Sequence, residues 1–365
     1  MTIYFDYNAT APLRDEARAA MLDVLGPPAN ASSVHAYGQA ARHQIETARR
    51  QLADLCGAMP EEVIFTSGGT EANAMALMRE TPQHDVVVIT SSIEHVAVLD
   101  NAPDGLRVAV DGDGVIDLDA LEDAAANAPS GSIIAVMMAN NETGVIQPIK
   151  EVVEIAHRHG HLVHCDAVQA LGKMPIHFAE LGVDMMALSG HKIGAATGTG
   201  ALIQRQGLAS FPRMNGGGQE KNRRPGTENL SGIVSFGAAA SAIEKAVLSH
   251  EELRQCHDEF EAHILAEAPD AKVLGQGAKR LPNTTAIAMP NQLAETQMMN
   301  FDLAGFAVSA GAACSSGKVA SSHVLTAMGH DDLAPYTIRV SSGWNTEKED
   351  FERLAETWLK FYKQA

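Results

Sequence analysis

Cysteine is scarce in this chain. Four thiols, Cys56, Cys165, Cys256 and Cys314, are spread over 365 residues, with no CxxC pair among them. That spacing argues against a disulfide framework and against a cysteine-built zinc site, and it fits a reduced compartment. Basic runs are missing too. The 27 Lys and Arg stand against 45 Asp and Glu, a formal charge of −18, so the footprint of a nucleic-acid binder is absent. No apolar run approaches a membrane span, and the opening MTIYFDYNATAPLRDEA lacks the basic and apolar regions of a signal peptide. The expectation is a cytoplasmic protein that engages neither nucleic acid nor membrane. There is also no GxGxxG and no GxxxxGK[ST], so neither a dinucleotide nor a nucleoside triphosphate is indicated.

Short apolar runs alternate with amphipathic helical stretches. The runs EVIFTS, DVVVITS, LRVAVD, SIIAVMMA, HLVHCDA, VDMMALS and TGALIQ read as strands, with helices over Ala72–Glu80, Leu118–Ala126 and Ile149–His159 between them. That alternation predicts an α/β fold with a mostly parallel seven-stranded sheet covered on both faces. From Val234 to about Ala268 a long helical pattern leads into a different arrangement, with strands TTAIAMP, FAVSA and YTIRVSS and a last helix in KEDFERLAETWLKFYK. A large domain over 15–250 is expected, with a smaller α+β domain made of 1–14 and 251–365.

Three motifs carry chemistry. In TSGGTEANAMAL (66–77) an apolar strand passes through Ser-Gly-Gly-Thr into a helix expected to start at Glu71 or Ala72. Free N–H groups there make a phosphate cradle, with Thr70 adding a hydroxyl or serving as the helix N-cap. Asp166 in HCDAVQ and Lys192 in LSGHKIG each follow an apolar strand, where ligands of such sheets bind. A phosphate cradle, a strand-end carboxylate and a strand-end lysine are together the parts of a pyridoxal 5′-phosphate site. Cys314 sits in SAGAACSSGK, among residues too small to bury a core side chain, as suits a thiol that must be exposed and reactive.

These pieces, with YFDYNATAPL, NASSVHAYG, IEHVAVLD, NNETGVIQPI, GGGQE, RPGTEN, SHVLTAMG and IRVSSG, stand in one order along nearly the whole chain. In that order the chain resembles the cysteine desulfurases of the class V aminotransferase group, in the subgroup with a long catalytic loop. The resemblance implies a fold type I pyridoxal-phosphate-dependent transferase acting as a homodimer. It implies Lys192 as the Schiff-base lysine, Asp166 on the pyridinium nitrogen, Gln169 on the phenolic oxygen and His95 stacked on the ring and moving protons. Thr70, Ser189 and His191 would hold the phosphate, with Thr227 reaching in from the other subunit. Asn141 and Arg339 would fix the substrate, Arg339 through its carboxylate. Cys314 would attack the sulfur of L-cysteine, keep it as a persulfide, release L-alanine and pass the sulfur to an acceptor protein for iron–sulfur assembly or thiolation.

The chain departs from the family where AATG (195–198) replaces Pro-Lys-Gly, and where NASS (30–33) and QEK replace the usual NPSS and QER. A β-lyase, a selenocysteine lyase and an inactive sulfur-delivery scaffold stay open as alternatives. His157, His159, His161 and His164 are split by Gly160 between a helix end and a strand, so no metal site is expected. Likewise DGDGVIDLDALE places Val115 and Ile116 where a calcium loop needs an acid and a glycine, so a turn capped by Asp117 or Asp119 is expected. Cys56, Cys165 and Cys256 are read as structural. Glu46, Arg49 and Arg50 are read as the solvated face of one helix.

Overall fold

A computed structural model describes residues 2–77, 86–209, 214–243, 245–310 and 322–364. A short first strand, β1 (Ile3–Tyr4), precedes the main sheet. Each of the seven apolar runs then supplies one strand: β2 (Val63–Thr66), β3 (Val88–Ser91), β4 (Leu106–Val108), β5 (Ile133–Ala135), β6 (Leu162–Asp166), β7 (Met185–Ser189) and β8 (Gly200–Gln204). They form one sheet in the order β2-β8-β7-β6-β5-β3-β4, parallel from β7 to β4, with β8 antiparallel to both its neighbours. Strands β2 and β7 therefore run the same way, and the carboxyl ends of β2, β3, β5, β6 and β7 open on one edge.

The strands are apolar throughout because both faces are covered. Phe65, Ile134, Cys165, Met186 and Ile203 pack into one core, together with Ile45 and Leu52, Leu121, Val152 and Phe236 from four helices. Their alternates Ile64, Ile133, Met185, Ala187 and Leu202 pack on the other side with Ala72, Ala76 and Val98. A period of two along each strand puts successive residues on opposite faces.

The second lobe has its own core. Strands β9 (Lys272–Leu274), β10 (Thr284–Ala288), β12 (Ser309–Ala310) and β13 (Thr337–Ser341) form an antiparallel sheet in the order β12-β13-β10-β9, and β11 (Phe306–Ala307) pairs in parallel with β1. Leu253, Cys256, Phe260 and Ile264 of one helix face Phe351, Leu354, Trp358 and Leu359 of another, at helical spacing. Phe5 is fully buried in the same core, whereas Ala11 and Arg14 bond to the turn after β7.

Three local expectations are corrected. The helical pattern after Val234 is two helices, Leu230–Ser241 and His250–Glu267. A new start interrupts it: Ser249 accepts from Glu252 N while the Glu252 carboxylate takes Ser249 N, a reciprocal cap. The helix after the glycine pair starts earlier than expected, at Gly69, so Thr70 lies in its first turn and is not the N-cap. Arg49 is not solvated. It is 5% exposed in the helix Ala36–Cys56 and forks onto both oxygens of Glu220 at 2.8 Å, with a further bond to the Val63 carbonyl and its guanidinium over the Phe65 ring. Other expectations hold: Asp117 caps the helix Leu118–Asn127, and Cys56, Cys165 and Cys256 are buried free thiols.

The Arg49–Glu220 pair closes a strained turn, since Glu220, Lys221 and Asn222 all have positive φ, at 46°, 56° and 64°. Three consecutive non-glycine residues there persist only when their surroundings hold them. The Glu220 carboxylate takes three hydrogen bonds from two partners, because Phe65 N also donates to it at 3.0 Å. Removing Arg49 leaves a buried carboxylate unpaired, and Arg49→Ala is expected to cost about 3–5 kcal/mol of unfolding free energy. Guanidinium denaturation measures it; a loss below about 1 kcal/mol, the worth of an exposed pair, contradicts the assignment.

Candidate active site

The open sheet edge carries a cavity of about 240 Å³. Its wall brings together Thr70, His95, Asn141, Asp166, Gln169, Ser189, His191 and Lys192, eight of the side chains singled out in the sequence, along with Asn73. Each sits at a strand end, in the loop that follows or on the helix that starts there, which is why positions far apart in sequence converge.

The cradle side begins where β2 ends. Thr66 Oγ1 donates to the Gly68 carbonyl and Glu71 accepts from Ser67 N, which shapes the turn into the helix Gly69–Leu77. A Cβ at Gly69 would stand 2.7 Å from Cγ2 of Val168. Glycine is thus what lets this helix start press against the loop after Asp166.

Asp166, at the end of β6, accepts from Asn73 Nδ2 at 2.7 Å and from Val168 N at 3.0 Å. Asn73 Oδ1 lies 2.7 Å from His164 Nε2, so that imidazole nitrogen carries the proton. Burial drives His164 down to about 3, which keeps it neutral. A chain from His164 through Asn73 therefore sets the orientation of the Asp166 carboxylate. Asn73 was not singled out in the sequence; its place three residues after Thr70 on one helix face is the only signal it left.

Lys192 follows β7 in the short turn Gly190–Lys192. Its amine donates to the carbonyls of Asn8 (2.5 Å) and Ala9 (2.8 Å), and no carboxylate pairs with it among the described residues. Burial, then the Arg339 cation, push it down to about 8, against opposing pulls from Asp6 and Asp166. Near neutral pH a usable share of this amine is unprotonated, as a nucleophilic lysine requires. His191 lies 3.1 Å from Thr10 Oγ1 and is lowered to about 4 by burial and by Lys192.

His95 caps the short helix Val96–Leu99 by accepting the Ala97 N–H on Nδ1, so the neutral ring carries its proton on Nε2. Desolvation lowers its pKa. Behind it Glu94 is fully buried, with Ser91 and Met137 N donating to one carboxyl oxygen and no partner on the other. Burial pushes Glu94 up to about 8, so it is protonated at neutral pH.

Arg339 stands behind the wall, 3% exposed. One terminal nitrogen donates to the Asn141 carbonyl at 3.0 Å and the other to Asp6 at 2.7 Å, while Nε has no partner. Taking a carboxylate in a fork therefore means exchanging the bond to Asp6. Thr227 does not reach this cavity within one chain; it lines another with Phe65, Glu220 and Arg224. Cys314 lies outside the described residues. The flanks of its segment are described, and both are anchored at this site. Ser309 pairs with Arg339 across β12 and β13, Ser322 donates to buried Glu142 at 2.5 Å, and His323 Nε2 lies 2.9 Å from the Glu94 carbonyl oxygen.

The four histidines of HRHGHLVH go to separate partners: Asp184, Glu122, the Ala125 carbonyl and Asn73. Among the described residues no group of three or more His, Cys, Asp or Glu is placed to hold a metal ion, and no helix is long and apolar enough to cross a membrane. The cavity instead offers an amine for an aldehyde, a carboxylate for a basic ring nitrogen, and hydroxyls at a helix start for an anion.

The family profile described as "Aminotransferase class-V" matches residues 3–354. A protein of Cereibacter sphaeroides named cysteine desulfurase is 42% identical, covering 97% of this chain and 94% of its own length. The cysteine desulfurase IscS of Dictyoglomus turgidum is 39% identical over 95% of this chain and 91% of its own. The X-ray structure of a NifS-like protein from Rickettsia africae superimposes with a TM-score of 0.90 at 33% identity, each chain wholly covered.

Glu94 gives the site a measurable pH signature. Its folded value of about 8 lies above the ordinary 4.5, so its contribution to stability is complete below the lower value and is lost as pH rises through the upper one. Guanidinium midpoints at about pH 5 and about pH 8 are expected to fall less steeply for Glu94→Gln than for wild type. Equal slopes contradict a buried neutral carboxyl.

Proposed function

The chain belongs to the class V aminotransferase family, and from that premise we propose that it is a cysteine desulfurase that converts L-cysteine to L-alanine and leaves the sulfur as a persulfide on Cys314. The observation that carries the reading is that both flanks of the Cys314 segment are held by residues adjoining the Lys192–Asp166 cavity, one paired with Arg339 and the other bonded to Glu142, next to the lining residue Asn141.

The cavity fits pyridoxal 5′-phosphate: Lys192 is desolvated and paired only with carbonyls, the Asp166 carboxylate is oriented by Asn73 and Val168, and the helix start at Gly69 and Thr70 lines the cavity where a phosphate would lie. When bound, that cofactor supplies an electron sink that weakens bonds at the substrate carbons. Lys192 would hold its aldehyde carbon, Asp166 its ring nitrogen, and Gln169 its phenolic oxygen. Thr70, Ser189 and His191 would hold its phosphate, joined by Thr227 of the second subunit in a homodimer. His95, with its proton on Nε2, lines the cavity and would stack on the ring and move a proton. Asn141 and Arg339 fix the amino acid, and the carboxylate of L-cysteine replaces Asp6 on Arg339.

The thiolate of Cys314 then attacks the substrate sulfur. An S–S bond forms as the Cβ–S bond breaks, its electron pair passing to carbon, which takes up a proton; the sum is L-cysteine plus thiol to L-alanine plus persulfide. The persulfide is delivered to an acceptor protein of iron–sulfur assembly or thiolation. The same reading divides the chain into a large domain over 15–250 and a small one from 1–14 and 251–365, supported by the two separate cores.

Product analysis with L-cysteine and a thiol reductant tests it. Wild type is expected to give alanine and sulfide in equal amounts, and Cys314→Ser to lose both on the order of a thousandfold while retaining the cofactor. Pyruvate as the carbon product, or an active Cys314→Ser variant, makes the protein a lyase.

A further inference from the structure

One buried cation has no place in the mechanism above. Lys173 is 8% exposed, four residues after Gln169, and has no ion pair among the described residues. Its amine meets two amide oxygens instead, Oδ1 of Asn8 and Oε1 of Gln169, each at 2.6 Å. Burial, with Lys192 and Arg339 nearby, holds its pKa well below the usual lysine range. Charged or neutral, a lysine nitrogen donates here, and the ammonium form can do nothing else.

That fixes which way the Gln169 amide faces. Its oxygen must meet Lys173, and its nitrogen then donates to the Asn8 carbonyl at 2.9 Å. The flipped amide would set its oxygen against the Asn8 carbonyl, losing that bond and opposing like dipoles, and would set N–H against an amine that in its ammonium form cannot accept. With one N–H spent on Asn8, the other remains for the cavity that Gln169 lines. Lys173 also fixes Asn8. The Asn8 oxygen faces Lys173 and Asn283, its Nδ2 goes to Thr284 and Asn141, and its backbone carbonyl receives Lys192.

We propose that Lys173 is a positioning residue that holds Gln169 with its N–H, not its C=O, towards the cavity, so that the site accepts only an acceptor oxygen at that point. On the reading given above, which this rests on, that oxygen is the phenolic oxygen of pyridoxal phosphate, held as the phenolate. Lys173 thereby lowers the proton affinity of the bound cofactor without touching it.

Apo-protein of wild type, Lys173→Met, Gln169→Leu, the double variant and Lys173→Arg is titrated with pyridoxal phosphate, and the absorbance of the bound cofactor is followed against pH. The cavity's other titratable groups, His95, Asp166, His191 and Lys192, with Asp6 and Arg339 behind them, are common to all five proteins. Loss of one hydrogen bond to a charged oxygen moves the absorbance midpoint of Lys173→Met up by about one pH unit and weakens cofactor binding about tenfold. Gln169→Leu shifts alike, and the double variant shifts no further. Lys173→Arg, also donor-only and beside a small cavity of about 40 Å³ that Lys173 lines, restores the wild-type midpoint. An unshifted Lys173→Met, a double variant with summed shifts, or a Lys173→Met apo-protein that no longer melts cooperatively overturns the proposal. A wild type that takes up no pyridoxal phosphate overturns the functional reading and this proposal with it; uptake without the shift overturns this proposal alone.

Discussion

Everything at the site turns on how the amine of Lys192 is satisfied without a counter-ion. An ammonium buried beside a carboxylate stays protonated; one that meets only carbonyls, with Arg339 near it, gives up its proton far more readily. The carbonyls of Asn8 and Ala9 supply that arrangement, and they come from the N-terminal segment, whose strand Ile3–Tyr4 pairs with β11. Asn8 is the junction of the molecule. Its backbone N–H goes to Ser341, its side chain to Thr284, Asn283, Asn141 and Lys173, and its carbonyl to Gln169 and Lys192. The lobes are joined through the same residue that sets the state of the reactive amine.

Around that junction charge is distributed with little redundancy. Lys173, Lys192 and Arg339 are cationic in kind, yet among the described residues only Arg339 has a carboxylate in direct contact. On the acidic side Asp166 is oriented by Asn73, while Glu94 and His164, both fully buried, are neutral. Neutral buried groups cost little once hydrogen-bonded, whereas unpaired charges cost several kcal/mol. The anchors of the Cys314 segment use the same elements, since Glu142 adjoins Asn141 and Glu94 adjoins His95.

The sheet was legible because strands buried on both faces read as unbroken apolar runs, and Thr70, Asp166 and Lys192 because parallel strands deliver their ends to one edge; the other five cavity side chains came from the family resemblance alone. What was missed shares one cause. Arg49 lies on a helix whose periodicity marks an apolar face, but its partner Glu220 is 171 positions away and no local pattern announces it. Asn8, Asn73, Glu94 and Lys173 are likewise polar residues whose partners are set by tertiary contact; spacing alone gives a buried polar group no role. The break before Ser249 was written in the capping residues Ser249 and Glu252, and a helical reading of the flanking pattern ran across it. Arg339 was foreseen as a fork for a carboxylate, and the resting structure adds that Asp6 already occupies part of it.

Lys192, and not the more deeply buried Lys173, carries the cofactor. Loading wild type with pyridoxal phosphate, reducing with borohydride and mapping the modified peptide by mass spectrometry decides it. The account predicts a pyridoxyl group on Lys192 with Lys173 unmodified. A label on Lys173, or no covalent label at all, contradicts it.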